Sequence, residues 1–302
     1  MTETKTGESR LHSIGIIGLG LVGTAISRRL IAAGYTLTGY DPVEQARNQF
    51  QSMGGRPLAN VGAVARSASV IILSLPDGKV VKNVTESCAG AFQPGAVVID
   101  TTTASPHEVL ACQKLLALSE IEYLDATISG SSEVIAQGQA TWMVGGSEIA
   151  FQKIKQLLET IGGVIHHTGP TGSGTQMKLI SNLILGLNRA VLAEGLALAE
   201  FWGMNLPATL EVLKSTAAYS KVMDAKGEKM IGRDYSPQAR LRQHHKDVSL
   251  MLEAVKASKL KLYLSELHDD LLNEAEAAGL GELDNSAIFE VWQKKCDQKP
   301  EK

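Results

Sequence analysis

The sequence is short of aromatic residues, of cysteine and of any surplus of one charge. Phe, Trp and Tyr make up 5% of the 302 residues, too few for the repeated stacking platforms that hold single-stranded nucleic acid. Lys and Arg number 29 against 32 Asp and Glu, a formal charge of -3, so no broad basic surface is expected to draw nucleic acid or an anionic membrane. Cys88, Cys112 and Cys296 stand far apart and make no paired ligand motif, which argues against a disulfide framework and for a reducing compartment. The neighbours His166/His167 and His244/His245 lack the compact spacing of a zinc site, so no metal is expected. No run of about 18 uninterrupted apolar residues occurs, and MTETKTGESR has no apolar core for a secretory signal. The expectation is a cytoplasmic protein. Arg28/Arg29 and Lys294/Lys295 read as solvated charge, and Trp142, Trp202 and Trp292 as packing residues.

What is present is a strong alternation of elements. SIGIIGLGLVGTAISRRLIAAGYTLTGYDP opens with an apolar strand at Ser13 to Ile17, a glycine turn, a helix to about Ala33 and a strand ending near Tyr40. Ile26, Leu30 and Ala33 recur at helical spacing, and Gly34 can end that helix without steric cost. Strands at Val70 to Leu73, Ala96 to Asp100, Ile121 to Asp125, Ala140 to Val144 and Gly163 to His166 alternate with helices at Lys79 to Ser87, Pro106 to Leu118 and Glu148 to Thr160. That rhythm predicts a parallel sheet covered by helices. After GPTGSG, at 169–174, the strand pattern stops. Helices are predicted at Gln176 to Phe201, Pro207 to Ser215, Ser220 to Gly227, Leu241 to Lys256, Lys261 to Ala278 and Ser286 to Lys295. The fold class is therefore α/β for an N-terminal domain, residues 11–168, followed by an all-helical C-terminal domain, residues 169–296. A long interdomain helix, 175–202, joins them.

Gly18, Gly20 and Gly23 form GxGxxG between a strand and a helix, a context that makes the motif a dinucleotide fingerprint. Gly18 permits the tight turn, Gly20 clears the path of the pyrophosphate, and Gly23 lets the helix pack on the strand. The amides of Gly18, Leu19, Gly20, Leu21, Val22 and Gly23 then face the phosphates at a helix start. Asp41 ends the next strand, where a carboxylate can accept from the ribose hydroxyls. A 2′-phosphate would meet that negative charge, and Arg47 is several residues away, so NAD is favoured and NADP is the alternative. Leu75, Pro76 and Thr102 follow later strands, where loops approach a ligand. Thr102 either helps position nicotinamide or substrate, or caps the turn after it.

Taken together, GIIGLGLVG, DTTTASP, LDATISG, GPTGSGTQMKLISN, KDVSLML and GELDNSAIF resemble the beta-hydroxyacid dehydrogenase family, over about residues 12 to 292. The resemblance implies a Rossmann domain, a long interdomain helix, a helical domain and a homodimer or homotetramer. It implies that Lys178 is the catalytic lysine and that Asn182 helps fix the substrate. Their spacing puts both side chains on one helix face, where an ammonium and an amide can approach one oxygen. Ser129 and Gly130 fall in the segment resembling the family's carboxylate site, with Ser131 beside them. Thr127 stands where proline is usual and Ser131 where a second glycine is usual. Those hydroxyls either favour a more hydroxylated acid or mend local backbone bonding. Lys246 and Asp247 resemble the family's Lys-Asp pair, which implies that Lys246 lies near substrate or nicotinamide. Asp284 or Ser286 reads as a cap for the last helix.

The function these readings imply is NAD-dependent reversible oxidation of a small 3-hydroxy acid to its semialdehyde or keto acid, with Lys178 as general acid and base. The alternatives are an NADP-preferring reductase of the same family and a catalytically silent dinucleotide-binding regulator.

Overall fold

Strands buried on both faces set the centre of the first unit. Ile14, Ile16, Ile17, Val70, Ile71, Ile72, Leu73, Val97, Val98 and Ile99 are each 3% exposed or less, as strands covered by helices must be. In the computed structural model, which describes residues 13–292, the first unit runs β1 (Ser13–Ile17), α1 (Leu21–Ala32), β2 (Thr36–Tyr40), α2 (Glu44–Ser52), β3 (Arg56–Pro57), α3 (Val61–Ser67), β4 (Val70–Leu73) and α4 (Gly78–Cys88). It continues with β5 (Val97–Asp100), α5 (Pro106–Ala117), β6 (Glu122–Ser129), α6 (Ser132–Ala136), β7 (Thr141–Gly145), α7 (Glu148–Ile161) and β8 (Val164–Gly169). Among the described residues these strands make one sheet in the order β3-β2-β1-β4-β5-β6-β7-β8. The crossover from β3 to β4 on the far side of β1 is the switch point at which such sheets bind ligands.

Two strands depart from the expected parallel sheet, β7 and, parallel to it, β8. β7 pairs antiparallel with β6, from Asp125 opposite Gly145 to Ser129 opposite Thr141. A parallel crossover needs a dozen or more residues with a helix long enough to cover the sheet; 130–140 offers only the five-residue α6. α2 and α3 carry few buried positions, Phe50 in one and Val64 and Ala65 in the other, which is why periodicity did not announce them. Pro106 opens α5 behind Ser105, whose hydroxyl and Glu108 form a reciprocal capping box. Arg29 is not a solvated charge: its Nε donates to the Ile161 carbonyl at 2.6 Å. Trp142 is buried and donates to Gly162 O, whereas Trp202 is 65% exposed and packs little.

α8 (Ser173–Phe201) begins in the first unit and continues into the second; the chain divides between Lys178 and Leu179. By length and composition alone α8 is apolar enough to cross a membrane, and Ala190, Leu192, Ala193, Leu196 and Ala197 pack into the second unit's core. That unit continues with α9 (Leu206–Lys214), α10 (Lys221–Ile231), α11 (Leu241–Val255) and α12 (Tyr263–Ala277). α10 runs beyond the Gly227 end expected for it. The final helix opens with a 3-10 turn over Asn285–Phe289, capped by Asp284, which accepts from the Ser286 amide, and α-helix follows at 290–292, where the described residues end. MTETKTGESR, Lys294, Lys295 and Cys296 lie outside the described residues, as do the outer limits 11 and 296 drawn for the two domains.

Candidate active site

The turn between β1 and α1 shows why three glycines stand there. Gly18 sits at φ +95, and a Cβ on it would strike the Ser74 carbonyl. A Cβ on Gly23 would strike the Gly18 carbonyl. Gly20, by contrast, faces open space and is exposed. α1 has no side-chain cap on its N-terminus, so its leading amides, at the positive end of the helix, keep their capacity for an anion. An unobstructed approach to those amides fits a pyrophosphate. Leu19 is buried and Leu21 is 79% exposed, while Val22 packs against the core.

Asp41 is bound into this turn. Its Oδ2 accepts from the Leu19 amide and its Oδ1 from the Val43 amide, each at 2.8 Å. A carboxylate has about four acceptor sites, so two bonds fix it and leave capacity for hydroxyl donors. Arg47 is distant only in sequence. The first turn of α2 brings its Nη1 to the carbonyls of Asp41 at 2.7 Å and Pro42 at 2.9 Å.

The loops after β4 and β5 are tied together beside this turn's neighbouring strand ends. The Leu75 amide donates to the Thr102 hydroxyl at 3.2 Å, and the Thr102 amide donates to Asp100 Oδ1 at 2.9 Å. Thr102 therefore braces Leu75, and the capping of α5 falls to Ser105. Asp100 also accepts from Tyr123 Oη at 2.6 Å. Burial pushes its carboxyl up to about 6, against the lowering effect of the Thr102 and Tyr123 bonds. Pro76 lies exposed on the same loop.

Ser129 ends β6 half-buried, and Gly130 follows at φ +144. Ser131 is the N-cap of α6, its hydroxyl accepting from the Val134 amide at 3.3 Å. Thr127 is fully buried and donates to the Gly174 carbonyl at 2.9 Å. Of the two readings open for these hydroxyls, both side chains are engaged in backbone bonding. Asp125, also fully buried, accepts from the amides of Gly172 and Thr175 at 2.7 Å each. Nothing in the local sequence pointed to Asp125, because its partners are about 50 residues away.

Lys178 is half-buried on α8 and Asn182, one turn on, is 6% exposed. Asn182 Nδ2 donates to Asp247 Oδ2 at 2.8 Å. Lys246, beside it on α11, is half-buried. The adjacent histidines part company: His244 meets the His268 ring with centroids 5.2 Å apart, while His245 places Nε2 3.1 Å from Asp269 and Nδ1 2.7 Å from Glu276. Residues brought together are thus Gly18–Gly23 with Asp41, Leu75 with Thr102, and Asn182 with the neighbour of Lys246.

Comparison with known proteins matches residues 13–169 to the NAD binding domain of 6-phosphogluconate dehydrogenase. Residues 172–292 match the family described as NAD-binding of NADP-dependent 3-hydroxyisobutyrate dehydrogenase. The chain is 34% identical over 284 residues to 2-(hydroxymethyl)glutarate dehydrogenase of Eubacterium barkeri, covering 93% of this chain and 94% of that one. It is 29% identical to 2-hydroxy-3-oxopropionate reductase of Escherichia coli, covering 95% and 99%. A solved structure of 3-hydroxyisobutyrate dehydrogenase from Mycobacterium tuberculosis with L-serine superposes with a TM-score of 0.87 at 26% identity, covering 93% and 98%.

Proposed function

We propose, from the premise that this chain belongs to the beta-hydroxyacid dehydrogenase family of NAD(P)-dependent enzymes acting on small hydroxy acids and semialdehydes, that it reversibly oxidises a short 3-hydroxy acid, with Lys178 as general acid and base. The observation that carries this reading is the pair on α8: an amine and, one turn on, an amide whose orientation a buried carboxylate holds. An ionised Asp247 only accepts, so it fixes the NH2 end of Asn182 and turns the amide oxygen to its other side. Bound nicotinamide supplies or takes up the hydride. Lys178 as the neutral amine takes up the hydroxyl proton in oxidation, becoming the ammonium, and as the ammonium returns it in reduction. Asn182, with its second Nδ2 hydrogen still to donate, holds the same oxygen in line. The Ser129 hydroxyl and the Gly130 and Ser131 amides hold the acid, and Lys246 offers a second positive charge to substrate or cofactor. Relatives named for 2-(hydroxymethyl)glutarate and 2-hydroxy-3-oxopropionate support a short, hydroxylated acid as the substrate class.

NAD is the proposed cofactor, with Leu75, Pro76 and Thr102 beside the nicotinamide, because Asp41 is held where a 2′-phosphate would meet its charge. Arg47 is the residue through which NADP would be tolerated. The enzyme is further proposed to work as a homodimer or homotetramer. Met177, Ile184, Val191 and Leu198 recur every seven residues on α8, each at least 43% exposed, and Ile180 and Phe201 lie on the same stripe; such a seam suits a second copy of the helix.

The test is turnover of short 3-hydroxy acids with NAD and with NADP, followed by nicotinamide absorbance. Lys178→Ala is expected to keep NAD binding and lose at least about 100-fold in kcat; near-normal turnover would reject the assignment. Sedimentation should give a dimer or tetramer that Ile184→Glu with Val191→Glu converts to monomer, and a monomeric native protein would reject the seam.

A further inference from the structure

Side chains at alternate positions of a strand share one face. β6 runs unbroken in register from Asp125 to Ser129, so Asp125, Thr127 and Ser129 project to the same side of the sheet. Two of the three are spent on α8. Asp125 accepts from Gly172 and Thr175, and Thr127 donates to the Gly174 carbonyl. Helix α8 thus takes its N-terminal carboxylate from a distant strand, with both oxygens engaged at the positive end of the helix. The approach is close because of glycine: a Cβ on Gly174 would strike the Asp125 and Met143 carbonyl oxygens, and one on Gly145 would strike the Asp125 carboxylate. Lys178 follows Thr175 by three residues, about 4.5 Å along the axis.

We infer that Asp125 and Thr127 are positioning residues that hold Lys178 in register with the acid-binding turn at Ser129. This rests on the function proposed above. One strand carries both halves of the arrangement: its end offers the hydroxyl for the acid, and two residues and four residues earlier it fixes the helix that delivers the proton-transferring amine. Displacing a reacting group by about 1 Å costs on the order of 100-fold in rate. Loosening the anchor should therefore lower kcat while leaving the binding of acid and cofactor nearly intact. It also gives Thr127 a role in place of the proline usual there, since a proline side chain has no donor for the Gly174 carbonyl.

The experiment compares Asp125→Asn, Thr127→Val and Thr127→Ser in the full chain. Asp125→Asn should lose at least 10-fold in kcat, with KM for the acid and Kd for NADH within threefold of the native values. Thr127→Val should lose 3- to 10-fold in kcat and Thr127→Ser should recover it, at matched thermal stability. Native kcat in folded Asp125→Asn and in Thr127→Val overturns the inference. Should Asp125→Asn not fold, the Thr127 pair decides. A native protein that turns over no hydroxy acid would sink the proposed function separately. The anchor is then judged by the rate at which an amine-acylating reagent labels Lys178, read by peptide mass spectrometry. At least a fivefold change in Asp125→Asn or Thr127→Val supports it, and the native rate in both overturns it.

Discussion

The two units solve the burial of charge in different ways. In the first, Asp100 and Asp125 are buried and each is met by backbone amides at the end of a strand or the start of a helix. In the second, Arg189 is 3% exposed on α8, and its Nε and Nη2 find no hydrogen-bond partner among the described residues. Burial lowers its guanidinium to about 10, with Asp284 acting against that. His268, equally buried, has an unpartnered Nε2, and burial first and then the Arg189 charge bring it down to about 4. The difference follows from the elements. An α/β unit exposes unpaired amides wherever a strand hands over to a helix, whereas a helix interior has spent all of its backbone groups. Asp284 illustrates the same rule inside the second unit, since its amide donors are Gln238 and Ala239, just ahead of α11, and Ser286, in the opening turn of the 3-10 helix it caps.

The comparison is tested hardest at Asp284, where the charged side-chain partner is Lys226 at 2.8 Å and the Ser286 hydroxyl donates as well. Burial alone would raise that carboxyl; the Lys226 bond and the Gln238 and Ala239 amides outweigh it and hold it at about 2. Its stabilising effect is present above the unfolded value near 4 and is lost as pH falls through about 2. Lys226→Met leaves a buried carboxylate without its cation and should cost about 3–5 kcal/mol in urea unfolding. A loss below about 1 kcal/mol would mean that the amides suffice and that the contrast is overdrawn.

Asp100 should show the opposite sign. Its folded value is about 6, so the unfolded chain releases the proton first and stability falls as pH rises from about 4 to about 6, by up to about 3 kcal/mol. Asp100→Asn should flatten that slope in unfolding curves taken across the window. An unchanged slope would show that Asp100 is ionised throughout and fully held by Thr102 and Tyr123. The smallest effect is expected at Arg189→Met, which removes unmet donors and should leave the protein as stable or more stable by about 1–2 kcal/mol. Destabilisation beyond about 2 kcal/mol would mean that Arg189 is satisfied by partners beyond the described residues.

What was legible in the sequence was local. GxGxxG and Asp41 could be read because the strand, turn and helix that give them meaning lie within 30 residues, and the geometric demands on Gly18 and Gly23 are those of a single turn. Thr127 was readable only as a departure from the family pattern, with its purpose open, because the carbonyl it serves belongs to Gly174. Asp125 and the Asp247 bond to Asn182 were invisible for the same reason. The sheet was expected to be parallel because alternation counts elements and does not weigh the length of the link between β6 and β7.

By itself the sequence determined most of the strands and long helices and the dinucleotide turn, since periodicity and glycine sterics act between near neighbours, while the lysine with its asparagine one helical turn later was legible only through the family resemblance. Only the tertiary structure decided which strand anchors α8, which carboxylate orients Asn182 and which buried charges are met. The pairings of Asp125, Thr127, Asn182 and Asp284 with Gly172, Thr175, Gly174, Asp247 and Gln238 join residues 46 to 65 apart, and a hydrogen bond depends on distance in space, which the linear order of the chain does not encode.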